Sequence, residues 1–291
     1  MIEIFPNYYD KFNCIADKCR HSCCIGWEID IDPDTMELYS SISDENILKN
    51  IEGNPPHFKL AKDERCPFLN KSGLCDIITK YGDGAICDIC YFHPRFRNFY
   101  ENFEETGLGL SCEEAARIVL SHTDKFAIEI PEVATEEERA FLEKRQSVFD
   151  ILQNRDVNIA QRFSDLAKEY GFEFEFSLKK LAEIYMSLER LDNKWTETLE
   201  DLKDFDFDGS IFNDADMQLF FEQLSCYFIF RHFENEGAVK FALSGCYIIG
   251  AIITQTNGDF QKASDIVRMY SSEIEYCEEN TQKVQNFLIP N

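Results

Sequence analysis

Four cysteines, Cys14, Cys19, Cys23 and Cys24, stand within eleven residues, and Cys66, Cys75, Cys87, Cys90 and Cys112 follow. Nine of the twelve cysteines therefore fall in residues 14–112, while Cys226, Cys246 and Cys277 lie singly in apolar helical patterns. An ordinary hydrophobic core does not call for thiols at that density. The front third of the chain is expected to fold around sulfur chemistry and the remainder around hydrophobic packing. The N-terminal Met1-Ile-Glu-Ile-Phe-Pro lacks the basic and apolar regions of a secretory signal. The most apolar run, 238–253, reads as too short for a membrane span and carries Lys240. The expectation is a cytoplasmic protein with no membrane partner. In that reducing compartment dense cysteine signals metal or redox chemistry far more often than a disulfide framework.

Composition narrows the partners. With 291 residues, 44% of them hydrophobic, the chain can bury one large core or two modest ones without a metal to hold the whole together. The net charge of -25 speaks against nucleic acid, because phosphate neutralisation needs clustered Lys and Arg. It favours encounter with cationic partners, lysine-bearing ones included.

The element pattern is mainly α. Trp27-Glu-Ile-Asp-Ile alternates with period two and predicts a short strand. Asp32-Pro33 predicts a helix start running to about 42. Cys66-Pro-Phe-Leu-Asn-Lys-Ser-Gly-Leu-Cys75 predicts a tight hairpin that makes its two cysteines neighbours. A second hairpin is expected after His93-Pro94-Arg95, around the aromatic residues 96–103. Ser111-Cys112-Glu113-Glu114 has the form of a capping box, with Cys112 at a helix N-terminus that favours a thiolate. After a linker at 123–134, Thr135-Glu-Glu-Glu138 is a second capping box, and helical patterns follow: 159–170, 178–191, 214–234, 237–255, 261–277 and a short terminal helix to 288. The expected architecture is an N-terminal cysteine-rich module with short β-hairpins (1–122) packed on a C-terminal helical domain (135–291).

Thiols at these spacings suit a soft metal. Structural zinc takes four Cys or His ligands from short knuckles, and iron–sulfur clusters are held by Cys thiolates at more variable spacings. The adjacent Cys23-Cys24 is awkward for a plain zinc knuckle because neighbouring side chains diverge. Zinc and iron–sulfur both remain open on spacing. The radical S-adenosylmethionine pattern Cys-x3-Cys-x2-Cys is not met after Cys19-x3-Cys23, where Gly26 takes the critical position. Gly107-Leu-Gly109 lacks the context of a phosphate cradle.

Taken together, Cys19-x3-Cys23-Cys24, Cys66-Pro-Phe-Leu, Gly73-Leu-Cys75-Asp-Ile and Cys90-x2-His93-Pro94-Arg95 resemble zinc- or iron-chelating cysteine-cluster proteins. Phe12-Asn-Cys14, Gly26-Trp27, the run Glu105-Thr-Gly-Leu-Gly-Leu-Ser-Cys112-Glu-Glu-Ala-Ala-Arg117 and Phe228-Ile-Phe-Arg231-His232-Phe233 narrow this to a resemblance to the flagellin lysine-N-methylase family. The likeness is strongest in 12–120 and looser in 215–289.

That resemblance implies an enzyme moving a methyl group from S-adenosylmethionine to lysine ε-amines of a protein, with flagellin the candidate substrate. It also implies a [4Fe-4S] cluster, zinc being the alternative. Cys19, Cys23, Cys66, Cys75 and Cys90 are the first candidate ligands, followed by Cys14, Cys24 and Cys112. Arg95 is the candidate for the donor's carboxylate, since a guanidinium suits planar bidentate recognition. Glu105 is the candidate base, since a lysine must lose its proton before it attacks a sulfonium methyl. A noncatalytic zinc or iron–sulfur module, a sensor or adaptor, is the alternative function.

Overall fold

The computed structural model describes residues 2–235 and 237–288. The chain is mainly helical and divides into two compact units, residues 13–95 and residues 1–12 with 96–291. The expected boundary at 122 thus lies at 95. The reason is visible in the strand Phe103–Leu108 and the helix Glu113–Leu120, whose buried side chains join the core of the helical unit.

In the 13–95 unit, Asp32 caps the helix Pro33–Ile42, with its carboxylate accepting from Thr35 N–H at 2.8 Å. Its second oxygen accepts from Asp88 N–H at 2.9 Å, tying that helix to the start of Asp88–Phe92. Residues 27–31 keep the predicted alternation, with Ile29 and Ile31 buried, but pair only through the single antiparallel bridge Asp30–His57. Residues 43–56 contain a short helix, Glu45–Leu48, and the strand Ile51–Glu52, which pairs with His57–Phe58. The Cys66–Cys75 turn forms as expected: Leu69 bridges Cys75, and the Asn70 side chain accepts from Ser72 and Leu74 N–H. Gly73 has φ +78°, and a Cβ there would meet the Asp17 backbone at 3.3 Å.

The helical unit carries a three-stranded sheet. Its order is Ile2–Ile4, Phe103–Leu108, Arg95–Phe99, and the first strand runs parallel to the second. Sequence reasoning finds the hairpin but not the N-terminal strand, because parallel pairing across a hundred residues leaves no local signature. Gly107 lets the Phe96 and Phe230 rings close on the central strand, where a Cβ would lie 2.3 Å from the Phe96 ring.

Thr135 and Glu138 form the predicted capping box of Glu136–Leu152. The box expected at Ser111–Glu114 does not form: Cys112 is the N-cap, and Glu114 is drawn to Arg117 at 2.6 Å. The helix expected over 178–191 ends at Met186, and a further helix that the sequence reading did not place, Asn193–Leu202, follows. Glu273 supplies the break, its carboxylate accepting from Leu191 and Asp192 N–H at 2.9 and 2.8 Å.

Gln218–His232 is buried on nearly every side and packs against Glu113–Leu120 and Gly237–Thr256. Gly237–Thr256 has 20 residues and, by length and composition, is long enough to cross a membrane, which corrects the reading that this run is too short. In this structure 78% of its most apolar stretch is buried inside the protein.

Candidate metal centre

Three local devices bring cysteines together within the 13–95 unit. The Cys66 N–H donates to the Cys24 carbonyl at 2.8 Å beside the antiparallel bridge Ile25–Arg65, so Cys24 and Cys66 lie across from each other. The turn that follows returns Asp76 N–H to the Phe68 carbonyl at 2.8 Å, setting Cys75 next to Cys66 as the N-cap residue of Asp76–Tyr81. Cys87 caps Asp88–Phe92 and Cys90 follows in its first turn, where Asp32 anchors the helix start.

Four of these thiols form a mutually interacting set. Cys24 acts on Cys66, Cys75 and Cys90; Cys75 acts on Cys66 and Cys90; and Cys66 acts on Cys90, so all pairs are included. Burial, followed by the neighbouring thiols, pushes Cys66 up to about 12 and Cys90 well up, and burial also raises Cys75. Backbone N–H groups oppose this: those of Phe68 and Leu69 point at the Cys66 sulfur, and those of Ile77 and Ile78 at Cys75. Cys24 goes the other way, lowered to about 7 by a hydrogen bond from Cys23, helped by Ser22 and Arg65 against burial.

Thiols crowded together out of water resist ionisation one by one, yet they carry N–H donors suited to thiolates. A multivalent soft cation resolves that conflict by ionising all of them. By ligand chemistry, neighbouring thiols suit a soft metal or an iron–sulfur cluster.

Cys87 is fully buried beside this set, with the Tyr39 hydroxyl 3.8 Å from its sulfur. Burial pushes it up to about 11, with Tyr39 opposing. Of the other sequence candidates, Cys14 is exposed, with its sulfur accepting from Ala16 N–H at 3.4 Å. Cys23 is exposed and serves Cys24. Cys19 is half-buried and donates to the His21 carbonyl at 3.2 Å. Cys112 belongs to the helical unit. The sequence ranks Cys23 above Cys24; in the structure Cys24 is half-buried and Cys23 exposed. The tyrosine and aspartate supports, Tyr39 and Asp32, carry no signal in the local sequence that ties them to cysteine.

Arg95 opens the strand Arg95–Phe99 and is half-buried, with Nη1 3.5 Å from the Tyr91 carbonyl. His93, between Cys90 and Arg95, packs its ring 5.9 Å from Trp27. Burial, then Arg95, lowers it to about 4, so its imidazole is neutral at neutral pH.

Glu105 is found in the core of the helical unit with no exposed surface. Arg145 holds both of its oxygens, one at 2.9 Å, and Tyr100 donates to it at 3.3 Å. The guanidinium is itself enclosed by the rings of Phe141, Phe149 and Phe230. A carboxylate clamped in this way has no free lone pair directed at a substrate. Its geometry is that of a structural ion pair, which argues against the base role considered from sequence.

No family model matches the chain, and no solved structure matches it. Among curated proteins it is 28% identical over 134 residues to a lysine-N-methylase of Salmonella typhimurium, covering 42% of this chain and 33% of that protein. The lysine-N-methylase of Salmonella choleraesuis matches to the same extent. A flagellar biosynthetic protein FliU of Salmonella muenchen is 27% identical over 135 residues, 42% of this chain and 79% of that protein. The match thus spans about a third of the length of the two methylases. These similarities relate the chain to the flagellin lysine-N-methylase family.

Proposed function

Starting from that family relation, we propose that the chain is a protein lysine N-methyltransferase that uses S-adenosylmethionine and holds a [4Fe-4S] cluster on Cys24, Cys66, Cys75 and Cys90. The observation carrying the metal part is the mutual electrostatic interaction of those four thiols, with backbone N–H donors at Cys66 and Cys75 and hydrogen bonds from Cys23 and Ser22 at Cys24. With all four thiolates bound, such a cluster would be coordinatively closed and anionic overall, so it would tie the surrounding chain together while the methyl donor is bound by the protein's own groups. The protein's own contribution is to hold four sulfurs in place through the Cys24–Cys66 backbone bond, the Cys66–Cys75 turn and the Asp32 anchor. Arg95, five residues after Cys90, is the group offered to the donor's carboxylate.

Methyl transfer breaks the sulfonium carbon–sulfur bond and forms a carbon–nitrogen bond on a lysine that has already given up its proton. Glu105 is left out of that step because Arg145 holds it. The net charge of -25 favours approach of a lysine-rich protein surface, flagellin being the candidate.

The test is anaerobic purification with iron, sulfide, zinc and visible-spectrum analysis, followed by transfer of labelled methyl from S-adenosylmethionine to flagellin. Brown protein with bound iron and labelled lysine is the expected result. Colourless protein with stoichiometric zinc refutes the cluster. A loaded cluster without any binding of S-adenosylmethionine refutes the methylase and leaves a noncatalytic module.

A further inference from the structure

A second set of metal-type ligands lies in the 13–95 unit and shares no residue with the cysteines. Ile29 and Ile31 point into the core, so Glu28 and Asp30 emerge together on the opposite face of the same extended segment. Asp30 bridges His57 across an antiparallel pair, and Phe58, next in sequence, is buried, which sends His57 outward to the same side. The register therefore forces one imidazole and two carboxylates together. Their ligand atoms all lie within 4.8 Å of one another, with His57 Nε2 3.5 Å from Glu28 Oε2.

The imidazole is oriented for this face. Its Nδ1 is 3.2 Å from the Pro55 carbonyl, and a carbonyl only accepts, so Nδ1 carries the ring proton. In the neutral ring Nε2 is then a lone pair directed at the carboxylates. A carbonyl on the far nitrogen is the usual support of a metal-binding histidine. Gly53, at φ +81°, makes room for this pose: a Cβ there would fall 2.1 Å from His57 Cε1. Three electron-pair donors thus converge with no donor hydrogen between them, in a protein of charge -25.

We propose that Glu28, Asp30 and His57 form a site for a divalent first-row cation of the manganese, iron(II) or zinc class, with water completing the coordination. Two oxygens and one imidazole nitrogen prefer harder ions than four thiolates do, so the two centres sort metals by ligand chemistry.

Manganese(II) is the probe, because thiolates compete for it poorly. It is titrated into the protein isolated with its cysteine centre loaded, and the loss of the free-ion paramagnetic resonance signal is recorded. One bound ion is expected, with affinity falling about tenfold or more in Glu28→Gln and in Asp30→Asn. Both carboxylates are exposed, so these variants keep the wild-type thermal melt. Manganese should also broaden the His57 Cε1 proton resonance selectively. Cys66→Ser should leave manganese binding intact, which separates this site from the thiol centre. The proposal is overturned if wild type binds no manganese. It is equally overturned if the Glu28→Gln, Asp30→Asn double variant binds as well as wild type, or if the bound ion leaves the His57 Cε1 proton resonance unbroadened.

Discussion

Replacing Glu105 by Gln distinguishes a structural ion pair from a catalytic base. The side chain keeps its shape but loses its charge, leaving the Arg145 guanidinium, 1% exposed, enclosed by three aromatic rings without a counter-ion. Breaking a fully buried pair from one side costs about 3–5 kcal/mol. At about 2–4 °C per kcal/mol for a unit of roughly two hundred residues, the melting temperature should fall by about 6–20 °C. The double variant Glu105→Leu, Arg145→Met removes both charges and should recover more than half of that loss, because the remaining hole is apolar and ringed by Phe. Circular-dichroism melts of the wild type, both single variants and the double variant close the cycle, with methyl transfer measured on the folded fraction. One result refutes the argument: Glu105→Gln melting within about 1 °C of wild type while losing methyl transfer, since a 3–5 kcal/mol defect cannot be hidden in a melt. The carboxylate would then be acting on substrate.

Cys24→Ser, Cys66→Ser, Cys75→Ser and Cys90→Ser should each lower bound iron or zinc per chain by more than half, while exposed Cys14→Ser should leave it unchanged; metal analysis of the purified variants decides. In the helical unit, burial would raise the Glu275 carboxyl, but Arg231 and His232 outweigh it and hold it low, while burial lowers His232 against the pull of Glu275. His232 binds fewer protons folded than unfolded, so its contribution is intact above the ordinary histidine value of 6.5 and is lost as pH falls through its lowered folded value, whereas that of Glu275 is lost only below the ordinary carboxyl value of 4.5. The urea midpoint should drop from pH 7.5 to pH 5, and His232→Asn should flatten that drop; parallel slopes in the two proteins would exclude the pair as its source. Thr135→Ala removes one half of a formed capping box and should cost about 1 kcal/mol, seen as a small shift in urea midpoint with an unchanged slope.

Much of this protein is readable from local sequence. Asp32-Pro33, Thr135-x-x-Glu138 and the Asn70–Gly73 turn act over a few residues, and each forms where its residues predict. The concentration of sulfur in 14–112 also marks the chemistry. Cap signals fail where a competing partner lies nearby, as Glu114 shows by pairing with Arg117 in place of closing its box.

What the sequence withheld was decided by contacts between distant residues. The parallel strand at 2–4, the break at 187–192 held by Glu273, the inclusion of 96–122 in the helical unit and the burial of Glu105 against Arg145 all depend on partners 40 or more positions away, some beyond 100. The choice of Cys24 over Cys23 belongs with them. Adjacent side chains diverge, and Cys24, whose carbonyl accepts from Cys66 N–H, is the half-buried one while Cys23 is exposed. Spacing announces that thiols are concentrated; the tertiary register decides which of them become neighbours.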